Sequence, residues 1–153
     1  MKKDELKDLM ESTLEKSKEL LLRDGYVHPV AFIYYGNEVD LVALTFENQE
    51  DKVKQIYALG KLAKMKKADA VCIVAESWYV TTDKKDLDTM PSKHPMRKEC
   101  ILISGECKEG DIAITQKFER KEIKNESKEK IIFGEKDIDT VYSSRFNFGI
   151  KKK

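Results

Sequence analysis

Three prolines, seven glycines and three cysteines in 153 residues leave this chain poor in the residues that punctuate or staple a fold. So little Pro and Gly excludes a collagen-like repeat or a low-complexity chain. The cysteines Cys72, Cys100 and Cys107 are odd in number, lie in apolar strand-like surroundings and form no CxxC pair. A disulfide framework, a zinc ribbon and a redox dithiol therefore lack support, and three reduced core thiols are expected. Net charge is nearly absent too: 29 Lys and Arg against 28 Asp and Glu give +1, no electrostatic motive for binding nucleic acid or an anionic membrane. The longest apolar stretch, Ala68 to Val80, is broken by Asp69 and Glu76 and falls short of the roughly 18 to 20 residues of a membrane span. The first residues, Met1-Lys2-Lys3-Asp4-Glu5, carry no signal-peptide core, so a cytoplasmic location is expected.

Chemical motifs are equally scarce. Gly134-Glu135-Lys136 is a lone turn without P-loop spacing, and no glycine-rich dinucleotide turn occurs, so no cofactor is expected. His28, His94, Cys72 and Cys100 are too scattered to form a metal set. Ser92 lacks the G-x-S-x-G elbow of a hydrolase nucleophile. The basic runs Lys64-Met65-Lys66-Lys67 and Lys151-Lys152-Lys153 read as a solvated helix end and a tail rather than a nucleic-acid patch.

What is present is apolar material for one core, 41% of the chain, under a surface rich in charge, 37%. One domain over residues 1–150 with a basic tail at 151–153 is the organisation this length predicts. Leu6, Leu9, Met10, Leu14, Leu20 and Leu21 fall on one helical face between Asp4 and Arg23, with Gly25 as the stop. His28 to Tyr35 and Val39 to Phe46, parted by Gly36-Asn37, read as a β-hairpin. Asn48 can cap a second helix marked by Val53, Ile56, Tyr57, Leu59, Leu62, Ala63 and Met65. Ala70 to Ala75 is apolar on both faces and suits a central strand. Thr81 to Pro95 reads as a long surface loop, Glu99 to Glu106 and Asp111 to Lys121 as a second hairpin, and Ile131 to Phe133 as a short strand. Val141 to Phe148 is apolar without a decisive period. The order αββαβββ with a C-terminal appendage predicts an α+β fold: a mainly antiparallel sheet with packed helices.

Chemistry-bearing residues concentrate around the long loop. Glu76, Trp78, Ser92, His94, Arg97 and Glu99 include the only Trp, one of two His and an acid from each flanking strand. If those strands pair, Glu76, Trp78, Arg97 and Glu99 meet at one end of the sheet, because alternate residues share a face. As an active site, Glu76 or Glu99 would be a base, His94 an acid or base, and Arg97 an anion holder. As a structural pin, Arg97 would pair with a glutamate to anchor the loop while Trp78 fills the space beneath. The pin carries more weight, since nothing in the sequence shows these groups converging on a pocket.

The string E-x-W, a loop, then P-S-x-H-P-x-R-x-E over Glu76 to Glu99 resembles a motif of a family of uncharacterised proteins from bacteria, archaea and phages. The resemblance implies that Glu76, Trp78, Pro91, Ser92, His94, Pro95, Arg97 and Glu99 form one unit, and it implies no activity. The expectation is thus a phage-associated interaction module for a protein partner or for itself. The alternative is an enzyme that applies the Glu/His/Arg cluster to a small anionic or carbonyl substrate.

Overall fold

The computed structural model describes residues 1–45, 47–79, 98–122, 129–139, 148 and 150. Helix α1 (Lys3–Asp24) buries Leu6, Met10, Leu14, Ser17 and Leu21, successive steps of three or four residues along one face. It stops where Gly25 turns left-handed, at φ 82°, and donates its N–H to the Leu21 carbonyl. No side chain of Lys2 caps the other end, but the Lys3 N–H donates to Glu109 Oε1 at 2.6 Å. A carboxylate in the tight turn after the fourth strand thus serves the first turn of the helix.

Strands β1 (Val30–Tyr35) and β2 (Glu38–Ala43) form the hairpin about Gly36-Asn37. Gly36 takes φ 58° and Asn37 does not, the pattern of a type II′ turn. Helix α2 (Gln49–Met65) starts at Asn48, whose side chain accepts the Asp51 N–H at 2.8 Å. Strands β3 (Ala70–Tyr79), β4 (Lys98–Cys107), β5 (Gly110–Glu122) and β6 (Glu129–Asp139) complete one six-stranded sheet in the order β2-β1-β3-β4-β5-β6, with every pair antiparallel. The α+β class holds; the short strand expected at Ile131 to Phe133, outside the αββαβββ order, joins the sheet as β6 and runs well beyond those residues. Register slips between Gln116 and Phe118, and the Gln116 amide bridges the irregularity by donating to the carbonyls of Lys117 and Gly134, each at 3.0 Å.

The helices occupy opposite faces and are offset from one another. Helix α1 lies over β4 and β5, where Leu6, Met10 and Leu14 join Cys72, Val74, Ile101, Ile103, Ile112, Ile114 and Phe118 in the larger core. On the other face Ile56, Leu59 and Ala63 of α2 pack with Ala31, Ile33, Val71, Ile73 and Phe148. Strand β3 is therefore buried on both sides along its first half, as its unbroken apolar run requires. Because β2 and β3 flank β1, α2 must carry the chain across the sheet, beneath β1, to reach the far side. Phe148 and Ile150 are held on that face by the buried carboxylate of Glu106, which accepts their N–H groups at 3.3 and 3.0 Å.

Candidate functional site

Two features stand out, one polar and one apolar, and both lie on the α1 face of the sheet. The polar one is built from the residues at which β3, β4 and β5 run past the end of α1. Register places Trp78 directly across from Glu99 and Glu99 across from Phe118, so Glu76, Trp78 and Glu99 share a face as the strand pattern predicts. Arg120, two residues beyond Phe118 on β5, is the cation between the acids. Its Nε donates to Glu99 Oε2 at 2.9 Å, its Nη2 approaches Glu76 Oε2 at 3.5 Å, and its Nη1 donates to the Gly25 carbonyl at 2.7 Å. The guanidinium also lies 5.4 Å from the Phe118 ring centre. Glu76 uses its other oxygen to accept the Val27 N–H at 2.7 Å. One arginine and two glutamates thereby tie three strands to the connection between α1 and β1.

Burial sets the electrostatics here. The Arg120, Glu76 and Glu99 side chains retain 23%, 26% and 22% of their exposure, too little for full solvation of two carboxylates. Desolvation raises the Glu76 carboxyl above its ordinary range, while the Val27 N–H and then Arg120 pull it back and Glu99 adds to the rise. Trp78 remains 40% exposed on the outer side of the cluster. Ser92, His94 and Arg97 lie outside the described residues. Among the described residues the cluster contains acids and a guanidinium committed to one another, with no serine, thiol or imidazole in hydrogen-bond reach of the pair. Arg120 carries no mark in the sequence, because it sits between Glu119 and Lys121 at the charged end of the strand expected over Asp111 to Lys121.

The thiols sit elsewhere and are chemically quiet. Burial pushes Cys72 up to about 12 and Cys100 up to about 11, so neither is a thiolate near neutral pH. Among the described residues no three His, Cys, Asp or Glu side chains gather as a metal set, and no helix is long and apolar enough to cross a membrane.

The apolar feature follows from the offset of α1. Since that helix covers β4 and β5, the same face of β1 is only partly covered, with Tyr34 buried and Val30 and Phe32 half-buried, and that of β2 is open. A groove of about 630 Å³ runs between α1 and the hairpin, walled by Leu9, Thr13 and Leu20 and floored by Val30, Phe32, Tyr34 and Leu41. Phe32 and Tyr34 stack with ring centres 6.3 Å apart, and the Tyr34 hydroxyl lies 3.9 Å from Cys72 Sγ. Tyr26 and His28 meet edge to face at 4.5 Å near one end. Leu41 is 64% exposed at the lip. Size and lining suit an apolar occupant.

Residues 1–148 match the sequence model of the family described as bacteriophage lambda protein ea47. The chain belongs to that family. The phage association expected from the E-x-W resemblance is met at this level. No curated protein and no solved structure matches this member of the ea47 family.

Proposed function

We propose that this ea47-family chain is a protein-interaction module that works through the groove between α1 and the β1–β2 hairpin. One observation carries the reading: the apolar groove between α1 and the β1–β2 hairpin, with large side chains such as Leu41 and Tyr26 left open to water beside it. A contiguous apolar surface of this kind on a folded domain marks a place where another molecule sits. The acids that suggested catalysis support a structural role instead, since Glu76 and Glu99 both engage Arg120.

The test is retrieval from lysate of phage-infected host cells with immobilised parent and with Phe32→Asp, which places a charge on the groove floor. The expected result is a partner retained by the parent and lost by the variant. A parent that retains nothing and is monomeric at every concentration overturns the reading. The enzyme alternative has its own measurement: turnover of a small anionic or carbonyl compound that Glu99→Gln abolishes while leaving the melting temperature unchanged would install it.

A further inference from the structure

We propose that the open edge of β2 joins two copies of this chain, antiparallel and two-fold, with Leu41 on the axis. This rests on the interaction-module reading and names one partner for it. In a hairpin closed by a two-residue turn the flanking pair is hydrogen-bonded, so Tyr35 with Glu38, Ile33 with Asp40 and Ala31 with Val42 exchange bonds. The continuation of the ladder fixes the same phase, because the Leu44 N–H donates to the Pro29 carbonyl. The backbone groups of Val39, Leu41 and Ala43 therefore face outward, and among the described residues no strand pairs with them.

The same three residues point their side chains to the bare α1 face, opposite Tyr34, Phe32 and Val30. An edge with outward-facing polar backbone and unguarded apolar side chains is a template for another strand. The register centred on Leu41 is the one that sets all three outward-facing residues of one copy against those of the other. A two-fold axis normal to the sheet keeps each face on its own side, so only residues of equal parity can lie opposite. Centring on Asp40 would place two carboxylates against each other. Centring on Leu41 places Val39 against the partner's Ala43 and Asp40 against the partner's Val42, and uses the outward N–H and C=O groups of Leu41 in both copies. Within its own chain Asp40 pairs with Lys66, 2.6 Å away on the α2 side, and accepts the Tyr35 hydroxyl at 2.8 Å, so its carboxylate is held on the face away from the groove.

The other sheet edge argues for closure at two copies. Strand β6 exposes Lys130, Glu135, Lys136 and Asp137, charges of the kind that keep an edge from pairing, so a head-to-tail β2–β6 chain of copies is disfavoured. Six residues per copy is small beside the roughly 20 to 30 a side of a standard interface, so the dimer is a weak one, dissociating in the micromolar range or above.

Leu41→Cys decides the register, because the three native cysteines are buried and the new thiol is exposed. Opposite Cα atoms of a hydrogen-bonded pair lie about 5.5 Å apart, within disulfide reach. Mild oxidation with copper phenanthroline is expected to give a covalent dimer from Leu41→Cys and none from Val39→Cys, whose thiols would lie on opposite sides of the axis. Sedimentation velocity up to about 0.5 mM, the weak end of the expected range, should show the parent dimerising. Leu41→Lys, folded by circular dichroism, should weaken the dimer at least tenfold. A parent monomeric throughout, or Val39→Cys linking as readily as Leu41→Cys, overturns the proposal. A monomeric parent that still retains a lysate partner through Phe32 leaves the interaction reading standing without it.

Discussion

Removing Arg120 should expose how much the polar cluster holds. Arg120→Ala leaves Glu76 and Glu99 about three-quarters buried without their cation, and takes the charged donor from the Gly25 carbonyl. Breaking a fully buried pair costs about 3 to 5 kcal/mol and an exposed one at most about 1 kcal/mol. Partial exposure sets this cluster near the lower end of the buried range, about 3 kcal/mol. For a domain of this length that corresponds to a fall in melting temperature of about 6 to 12 °C. Calorimetry at neutral pH measures it directly. The deficit should shrink on acidification to about pH 4, where the stranded carboxylates can take up protons. Arg120→Met combined with Glu76→Gln and Glu99→Gln should recover much of the loss, since no charge then lacks a partner. A fall below about 2 °C for Arg120→Ala, or a deficit that grows with acidification, would refute the claim that these three side chains pin the sheet to the α1–β1 connection.

Four further outcomes are expected. Glu76 is raised in the folded chain, so the native state binds its proton more tightly than the unfolded state, and stability falls as pH climbs from the ordinary glutamate range through the raised value. Melting curves between pH 4 and 7 should therefore show Glu76→Gln gaining on the parent as pH rises, and the opposite trend would contradict the burial argument. Glu106→Ala deprives the Phe148 and Ile150 N–H groups of their acceptor and should cost about 3 kcal/mol, with cleavage after position 140 in limited proteolysis far faster than in the parent. Asn48→Ala should cost about 1 kcal/mol through loss of the α2 cap, visible as a shift of the urea midpoint without a change in slope. Native protein should react with a thiol reagent at none of its three buried cysteines on the timescale of the denatured chain, and fast labelling of Cys72 would contradict its burial.

Much of the architecture is written locally. Helical spacing, Gly25 and Asn48 define both helices to within a residue or two, and Gly36-Asn37 defines the first hairpin. Strand β6 is under-read from sequence because its apolar run ends at Phe133 and the Glu135-Lys136-Asp137 charges and the bulge opposite Lys117 leave its second half without a strand pattern. Glu76 and Trp78 can be grouped in advance, since strand parity alone puts them on one face; Glu99 joins them once β3 and β4 pair with Trp78 opposite Glu99. Arg120 cannot, because its proximity to Glu99 depends on the β4–β5 register, and one arginine among lysines and glutamates carries no local mark. The groove is less legible still. Its existence depends on which strands α1 chooses to cover, a property of the packed sheet that no window of sequence contains.

The seat of α1 on β4 has an evolutionary consequence. A side chain at Gly105 would begin 2.6 Å from Met10 Sδ, so the helix rests in a dimple that one residue leaves and another fills. Met10 is wholly buried and unbranched, able to re-route its thioether where a branched residue could not. Positions 10 and 105 are thus coupled, because a side chain at 105 requires the Met10 thioether to give way. Among ea47-family sequences, a larger residue at 105 should be found with a shorter one at 10 or with a re-routed Met10, and a residue too large for either should displace the helix along the sheet. Where the helix shifts, the strip of β1 and β2 left uncovered changes width with it, so drift at this buried pair would remodel the groove without touching any residue that lines it.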